Sequence, residues 1–278
     1  MQHILIPTDF SKNAWNATSY ALAFFMNQKT TFHFLNVDIS MQVNSNQDFH
    51  LSGISVKNEI SPALELKMEN WIQRVYACCA HKNHTYKKAI TKASFVDGIR
   101  SYISNHNIEF VVMGTKGASG LKEITIGSKT GSVITRVHTP ILIIPEKASF
   151  KKPLNIGFPT DFNINHNHKI VSTLRTIAQE HLSSIKVLRV AQTKKPLTST
   201  QNNNREGLKQ NLLDYPHSFH VIENPNLADA IQSFVTTMQI DLVAMVAKNL
   251  NFYQRILFRP QVEKISYHIT IPFLILHE

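Results

Sequence analysis

Four small residues with a fixed spacing, Gly114, Gly117, Gly127 and Ser128, are the first candidates for chemistry in the sequence. They frame a segment between a short apolar run and a stretch of helical periodicity. Because glycine tolerates positive φ and close approach, such a segment can point several backbone N–H groups at one anion. A helix N-terminus that follows adds partial positive charge, and phosphate is the usual ligand. The sequence therefore predicts a phosphate-binding loop; the alternative is a tight strand-to-helix loop without a ligand.

The spacing Gly114-x2-Gly117-x9-Gly127-Ser128 resembles the ATP-binding signature of the universal stress protein family and matches it at every glycine and at the hydroxyl residue. A second landmark of that family, a first strand that ends in an aspartate, is similar to residues 3–9, HILIPTD. The segment contains neither GxxxxGK[ST] nor strand–GxGxxG–helix. The resemblance implies an adenine nucleotide α-hydrolase-like domain that binds ATP, AMP or ADP, with or without Mg²⁺.

The resemblance also implies roles for individual residues. Asp9 would contact the adenosine part, and Pro7 and Thr8 would shape the turn that presents it. Val37 matches the position where the family's backbone recognises adenine, although a plain buried strand residue is the alternative. The other implied nucleotide contacts belong to the glycine segment and its flanks: Met113, Gly114, Gly117, Gly127, Ser128 and Lys129. Thr130 or Ser132 would either add a contact or be exposed helix residues.

Catalysis is not predicted from these residues. Phosphoryl transfer needs a metal holder, a water or nucleophile positioner and a charge stabiliser, whereas Glu123 is a lone carboxylate in the glycine segment. The family resemblance implies ATP-binding regulators with at most slow hydrolysis. The closely spaced pair His166 and His168 is explained by an exposed polar loop more simply than by a metal site. We therefore predict no catalytic residue and no metal ligand.

The sequence contains an internal repeat. Residues 4–10, ILIPTDF, recur at 156–162 as IGFPTDF, and a later constant offset aligns Asp97 with Asp229 and Met113 with Met245. Two copies of one α/β unit are therefore fused head to tail. The predicted domains are 1–148 and 149–278, and the extra length of the first copy lies at 39–58.

The second copy lacks the glycine motif. Val246, Asn249, Arg259 and Pro260 stand where the first copy has its glycines and serine. A branched residue and a proline cannot supply the backbone freedom and N–H groups of a phosphate site. We predict a partner domain that does not bind nucleotide; a different anion held by Arg255 and Arg259 is the alternative.

Strands alternate with helices in both copies, which predicts parallel sheets with right-handed crossovers. The fold class is α/β, with two tandem doubly wound five-stranded parallel sheet domains. Ligands of such sheets bind beyond the carboxyl ends of the strands, where Asp9 and Gly114 lie. Family members commonly dimerise through their last strands, so residues 141–144 are expected beside 273–276 in an intramolecular pseudo-dimer, with a homodimer of the chain as a further option.

The composition of the chain argues against several other functional classes. The chain has 278 residues, 43% of them hydrophobic, and a formal charge of +10. The basic residues are scattered, which favours a solvated basic surface over a nucleic-acid face. Cys78 and Cys79 are adjacent, which favours a reducing compartment and a packing role over a redox role. Without an apolar run long enough to span a bilayer, we expect no membrane partner and a cytoplasmic location.

Three hypotheses follow. The first is a tandem universal stress protein that binds ATP or AMP in its N-terminal half and signals through conformation or partners. The second is an interaction scaffold that no longer binds nucleotide. The third is a nucleotide-using enzyme, such as a slow ATPase or an adenylyl-transfer enzyme.

Overall fold

The computed structural model of the chain describes residues 1–39, 60–115, 128–163, 168–191, 196–247 and 271–277. The strands are β1 (Gln2–Pro7), β2 (Thr30–Asp38), β3 (His84–Lys92), β4 (Phe110–Gly114), β5 (Ile141–Ile144), β6 (Asn155–Pro159), β7 (Ser184–Ala191), β8 (His217–Glu223), β9 (Leu242–Val246) and β10 (Phe273–Leu276). The helices are α1 (Lys12–Phe24), α2 (Pro62–Cys79), α3 (Phe95–His106), α4 (Ser128–Arg136), α5 (His168–His181), α6 (Ser199–Asn211) and α7 (Leu227–Thr237).

The described residues form two compact units, one of residues 1–115 and 128–139 and the other of residues from 140 onward. In the first unit the strand order is β3-β2-β1-β4, and every pairing is parallel. The chain runs from β1 outward to β2 and β3 and then returns to the other side of β1. The strand order therefore reverses between β1 and β4, the position where open α/β sheets bind ligands.

The second unit has the strand order β5-β10-β9-β6-β7-β8. All of its pairings are parallel except that of β5 with β10, where Phe273 lies opposite Ile143 and Ile275 opposite Ile141 in antiparallel register. Every residue of both strands is buried. Residues 141–144 of the first repeat and 273–276 of the second are thus side by side, as the family resemblance implied.

Local sequence signals determine where the helices begin. Ser11 caps α1 by accepting a hydrogen bond from the backbone N–H of Ala14, and Ser94 caps α3 in the same way. Asn107 ends α3 in the left-handed conformation that asparagine tolerates. A proline at the first position begins α2, where its missing N–H has no cost.

The core consists of apolar strand residues covered by helices. The largest fully buried side chains include phenylalanines of both units: Phe25, Phe32, Phe34, Phe158, Phe162, Phe234 and Phe273. In the first unit α1 packs on β1 and β4, while α3 packs on β1 and β2 and contacts α4. This arrangement places the beginnings of α1 and α4 at the carboxyl end of the β1–β4 pair. Among the described residues, no helix combines the length and apolar character needed to cross a membrane.

Candidate functional site

The turn after β1 holds Asp9 at the carboxyl end of the sheet. The chain still pairs with β2 at Thr8, whose N–H donates to the Leu35 carbonyl oxygen at 2.8 Å. Phe10 then adopts φ 63°, and its N–H donates to Thr8 Oγ1 at 3.0 Å. Asp9 Oδ1 accepts from the N–H of Ser11 at 3.0 Å. The Asp9 carboxylate is therefore oriented by its hydrogen bond to Ser11 within this turn.

A buried amide that sequence reasoning missed supports this turn. Asn36, only 8% exposed on β2, donates from Nδ2 to the Thr8 carbonyl oxygen at 2.8 Å. Thr8 itself is 5% exposed, and Pro7 before it is buried. A polar residue within the short stretch 34–37 of β2 was the available signal, because a buried amide usually has a specific hydrogen-bond partner.

Gly114 packs closely against α1. A Cβ atom on Gly114 would lie 3.0 Å from the side-chain Cγ, Oδ1 and Nδ2 of Asn13. Asn13 is in the first turn of α1 and 7% exposed. The end of β4 thus comes close to the beginning of α1, two residues beyond its cap. The glycine that the motif singled out lies next to the turn that carries Asp9, at one edge of one sheet.

Thr130 joins the two ends of the glycine segment. Its hydroxyl donates to the Gly114 carbonyl oxygen at 3.0 Å, and the residue is 3% exposed. The sequence left open whether Thr130 contacts the nucleotide or is an exposed helix residue, and the second of these predictions is wrong because Thr130 is buried. Because Thr130 is in the first turn of α4, the hydrogen bond brings the N-terminus of that helix to the end of β4. A helix N-terminus, which favours anions, therefore lies at the carboxyl end of β4.

Val37 and Met113 are buried strand residues beside this edge. Val37 is 8% exposed and lies opposite Thr91 of β3. Its side chain packs beneath α3, because a Cβ on Gly98 would lie 3.1 Å from Val37 Cγ1. Met113 is 6% exposed and precedes Gly114. The side chain of Val37 thus packs in the core beneath α3.

Lys129 supplies an exposed positive charge at the start of α4. Its ammonium nitrogen lies 5.1 Å from the ring centroid of Phe95, within cation–π distance. Ser128 is the first residue of α4. Gly117 and Gly127 lie outside the described residues, as does Glu123.

No group of three or more His, Cys, Asp or Glu side chains that could hold a metal ion occurs within the described ranges. Of the closely spaced histidines, His166 lies outside those ranges and His168 is the first residue of α5.

The second unit repeats the turn after its first strand. The N–H of Thr160 donates to the Leu188 carbonyl oxygen at 2.8 Å. Phe162 adopts φ 57°, and its N–H donates to Thr160 Oγ1 at 3.0 Å. Asp161 Oδ1 accepts from the N–H of Asn163 at 3.0 Å. Each hydrogen bond has its counterpart in the first unit, so the second copy has kept the turn.

The two units differ in what packs against that turn. In the first unit Trp71 of α2 lies edge-on to Phe10, with ring centroids 5.8 Å apart, and edge-on to Trp15 at 5.2 Å. In the second unit amides of α6 bind the turn: Gln201 Nε2 donates to the Asp161 carbonyl oxygen at 2.9 Å, and Asn204 Nδ2 donates to the Phe162 carbonyl oxygen at 2.8 Å.

Val246 ends β9 of the second unit at the position that corresponds to Gly114. It is 6% exposed. The other three substituted motif positions, Asn249, Arg259 and Pro260, lie outside the described residues.

Comparison with known proteins identifies the class. The sequence profile of the Universal stress protein family matches residues 1–145. Universal stress protein MJ0577 of Methanocaldococcus jannaschii is 25% identical over 155 residues, which are 52% of this chain and 96% of that protein. The chain therefore belongs to the universal stress protein family, as its glycine spacing and first strand predicted.

Solved structures confirm the fold. A universal stress protein from Archaeoglobus fulgidus matches with a TM-score of 0.69 at 15% identity, over 99% of this chain and 98% of that one. A putative universal stress protein from Pseudomonas aeruginosa matches with a TM-score of 0.62 at 13% identity, over 100% and 93% of the two chains. Both alignments extend across the two repeats, and the predicted α/β class with doubly wound, mostly parallel sheets is confirmed.

Proposed function

We propose that the first unit binds an adenine nucleotide, ATP, AMP or ADP, at the carboxyl edge of β1 and β4. The chain would then act as a nucleotide-sensing protein of the stress response. Membership of the universal stress protein family and the glycine spacing between Gly114 and Ser128 support this proposal. One observation carries it: the hydrogen bond from Thr130 to Gly114 brings a helix N-terminus to the sheet edge that carries Asp9.

The chemistry at this edge suits a nucleotide. A phosphate group is stabilised by the N–H groups and the partial positive charge of a helix N-terminus, and Lys129 adds a full charge beside it. A carboxylate such as that of Asp9 accepts hydrogen bonds from ribose hydroxyls. Glycine segments allow the backbone to approach the ligand closely. Anion and sugar recognition are therefore both proposed at the carboxyl edge of β1 and β4.

The protein is proposed to be a sensor, not an efficient catalyst. Among the described residues, no cluster of carboxylates or histidines could hold a metal ion, so Mg²⁺ would arrive with the nucleotide phosphates, as it commonly does. The second unit is proposed to be a partner that does not bind nucleotide, because Val246 replaces Gly114. The two repeats are proposed to form an intramolecular pseudo-dimer.

The test is a calorimetric titration of ATP, with and without Mg²⁺, into the wild type and into Asp9→Asn. Asparagine keeps an oxygen that can accept from Ser11 but loses the charge. We expect one ATP per chain and a 10- to 100-fold weaker Kd in the variant, in keeping with about 1.5–3 kcal/mol for a charge-assisted hydrogen bond. The matched control is Asp161→Asn, which changes the same turn of the second unit and should leave the Kd unchanged.

The outcomes separate the hypotheses. Two sites per chain, or a loss of affinity in Asp161→Asn, would contradict the assignment to the first unit. The absence of any binding by ATP, ADP or AMP would favour the interaction scaffold. Turnover that requires Mg²⁺ and disappears in Asp9→Ala would favour an enzyme. A Gly127→Val variant should abolish binding if the glycine segment holds the phosphates.

A further inference from the structure

The two cysteines of the chain form a contact that the proposed function does not use. Cys78 and Cys79 are the last two residues of α2, and Ala80 after them is extended. Their sulfur atoms are 3.4 Å apart. The Cys78 thiol also donates to the Arg74 carbonyl oxygen at 2.9 Å. Cys78 is exposed and Cys79 is partly exposed, so a small reagent can reach the pair.

This pair is poorly suited to become a disulfide. Consecutive Cα atoms are about 3.8 Å apart, whereas disulfides usually join Cα atoms about 4.4–6.8 Å apart and need an S–S distance of about 2.05 Å. Burial and the neighbouring Cys78 raise the pKa of Cys79 to about 11. That thiol is therefore protonated near neutral pH, and the protonated form resists oxidants because the thiolate is the reactive species.

The pair is also unsuited to a structural metal ion. Zn²⁺ in such sites usually takes four protein ligands, and no set of three or more His, Cys, Asp or Glu side chains able to hold a metal was found in the part of the chain that the structure describes. The ligand that fits must need only two sulfur donors, joined through one bridging atom. The separation of 3.4 Å suits such a bridge better than it suits a direct bond.

We propose that Cys78 and Cys79 form a dithiol site for an organic compound of trivalent arsenic. An arsenic(III) atom that carries one carbon substituent has two bonds left for sulfur, which is the number of donors available here. Sulfur is a soft donor and favours soft acceptors of this kind, and here both thiols give up their protons in the reaction. The three bonds of arsenic are then complete without any further side chain.

The reaction balances without an oxidant or a reductant. In phenylarsine oxide the As=O bond and the two thiol S–H bonds break, and two As–S bonds form. Both thiol protons leave with the oxygen as one water molecule, and arsenic stays in the trivalent state. The exposed Cys78 reacts first, and Cys79 then closes a ring that includes the peptide bond between the two residues.

The experiment uses phenylarsine oxide and the full chain. Because the chain has only two cysteines, intact mass should increase by one phenylarsenic group per chain, with loss of both titratable thiols. The adduct is then placed in excess glutathione, a monothiol. We expect it to persist at least about 100-fold longer than in Cys78→Ser or Cys79→Ser, since two linked attachments commonly gain 10²–10⁴ over one. A dithiol such as 2,3-dimercaptopropanol should remove it.

Matched variants keep the test independent of folding. Serine at position 78 can still donate to the Arg74 carbonyl oxygen, and Ala80→Ser changes the neighbouring residue while both thiols remain. Ala80→Ser should behave as the wild type, and circular dichroism should be the same for all variants. Equal adduct lifetimes in the wild type and the single variants would overturn the proposal. Two arsenic groups per chain, or an arsenic bridge between two chains, would also overturn it.

Discussion

The turns after β1 and after β6 have the same three hydrogen bonds and the same left-handed phenylalanine. One of them lies beside a glycine at the end of its neighbouring strand, and the other lies beside Val246. The aspartate and its turn are therefore part of the fold that both repeats share. The difference between the repeats is in the neighbouring strand end and in the helix that packs on the turn, and the proposal of a nucleotide site in the first unit alone depends on the first of these differences.

The packing helices make that distinction concrete. Trp71 covers the first turn with an aromatic ring, while Gln201 and Asn204 cover the second turn with hydrogen bonds to its carbonyl groups. The first turn is thus held by an aromatic contact and by the hydrogen bond from Asn36 to Thr8, whereas the second is held by two amide side chains of α6.

The largest expected effect comes from removing that aromatic cover. Trp71 is 5% exposed, so Trp71→Ala should lower the free energy of unfolding by about 3–5 kcal/mol. Gln201→Ala in the second unit should cost only about 1 kcal/mol, the net value of a typical hydrogen bond. Urea denaturation followed by circular dichroism measures both. Similar losses in the two variants would contradict the proposed difference between an apolar and a polar cover.

Acid should destabilise both units through one buried histidine in each. Burial is the main cause that lowers the pKa of His33 and of His181 from 6.5 to about 4. Between these values the unfolded chain binds more protons than the folded one, so stability is complete above pH 6.5 and falls as pH drops towards 4. The loss is up to about 3 kcal/mol per histidine, at 1.36 kcal/mol for each pKa unit.

Denaturation midpoints from pH 7 to 4 test this expectation. His33→Gln and His181→Gln should each flatten the pH dependence by a similar amount. Both ring nitrogens of His33 have a partner: His3 Nδ1 lies 2.9 Å from His33 Nε2, and Tyr102 Oη lies 3.1 Å from His33 Nδ1. After burial, the positive charges of His3, Lys87 and His106 also lower the pKa of His33. If the dependence of stability on pH were unchanged in one of the variants, that histidine would not contribute to the acid destabilisation.

A methyl group at Gly114 should have an intermediate effect. Gly114→Ala places Cβ 3.0 Å from the Asn13 side chain, which should destabilise the protein by about 1–3 kcal/mol, as overpacking does, and weaken ATP binding. Gly207→Ala is the matched control, because no atom lies within 4 Å of its Cβ position in α6. That variant should gain about 0.5–1 kcal/mol.

The double variant with Asn13→Ala decides whether the contact is the cause. If Asn13 is the obstacle, its truncation should recover most of the lost stability, and the two changes should be non-additive. Additive losses in thermal unfolding would indicate a different cause.

The smallest effect should come from Thr130→Val, which keeps the shape of the side chain and removes its hydrogen bond to Gly114. We expect a loss of about 0.5–1.5 kcal/mol in stability, with a weaker Kd for ATP. The control Thr135→Val removes a similar bond to the Ser132 carbonyl oxygen on the exposed side of the same helix. An equal effect of both variants on the Kd would argue against a special role for the first turn of α4.

The elements of the fold were predictable because each has a local cause. Apolar runs act over a few residues, and the two that were named in advance, 141–144 and 273–276, form β5 and β10 with the same bounds. Because the sequence repeats, the strand pattern of one copy could be compared with that of the other. The family and the α/β class followed from two motifs, and both are confirmed.

Contacts between distant residues were not predictable in the same way. Two examples are the hydrogen bond from Asn36 to Thr8 and the contact of Asn13 with Gly114. Both depend on which elements are neighbours in the fold. The periodicity of a sequence predicts which residues are buried, but it does not show which residues they contact. Thr130 was undecided because helical spacing alone does not show which polar residue of a first turn faces inward. The nucleotide contacts assigned by resemblance, including Gly117 and Gly127, remain predictions.

The pairing of β5 with β10 has a consequence for synthesis of the chain. Ile143 and Phe273 are about 130 positions apart in the sequence, so β5 leaves the ribosome long before this partner exists. The edge of β5 that pairs with β10 therefore stays unpaired until almost the whole second repeat has been synthesised. Unpaired edges of apolar strands favour aggregation. Slow translation of the second repeat, or truncation before residue 273, should therefore leave a first repeat that needs chaperones to stay in solution.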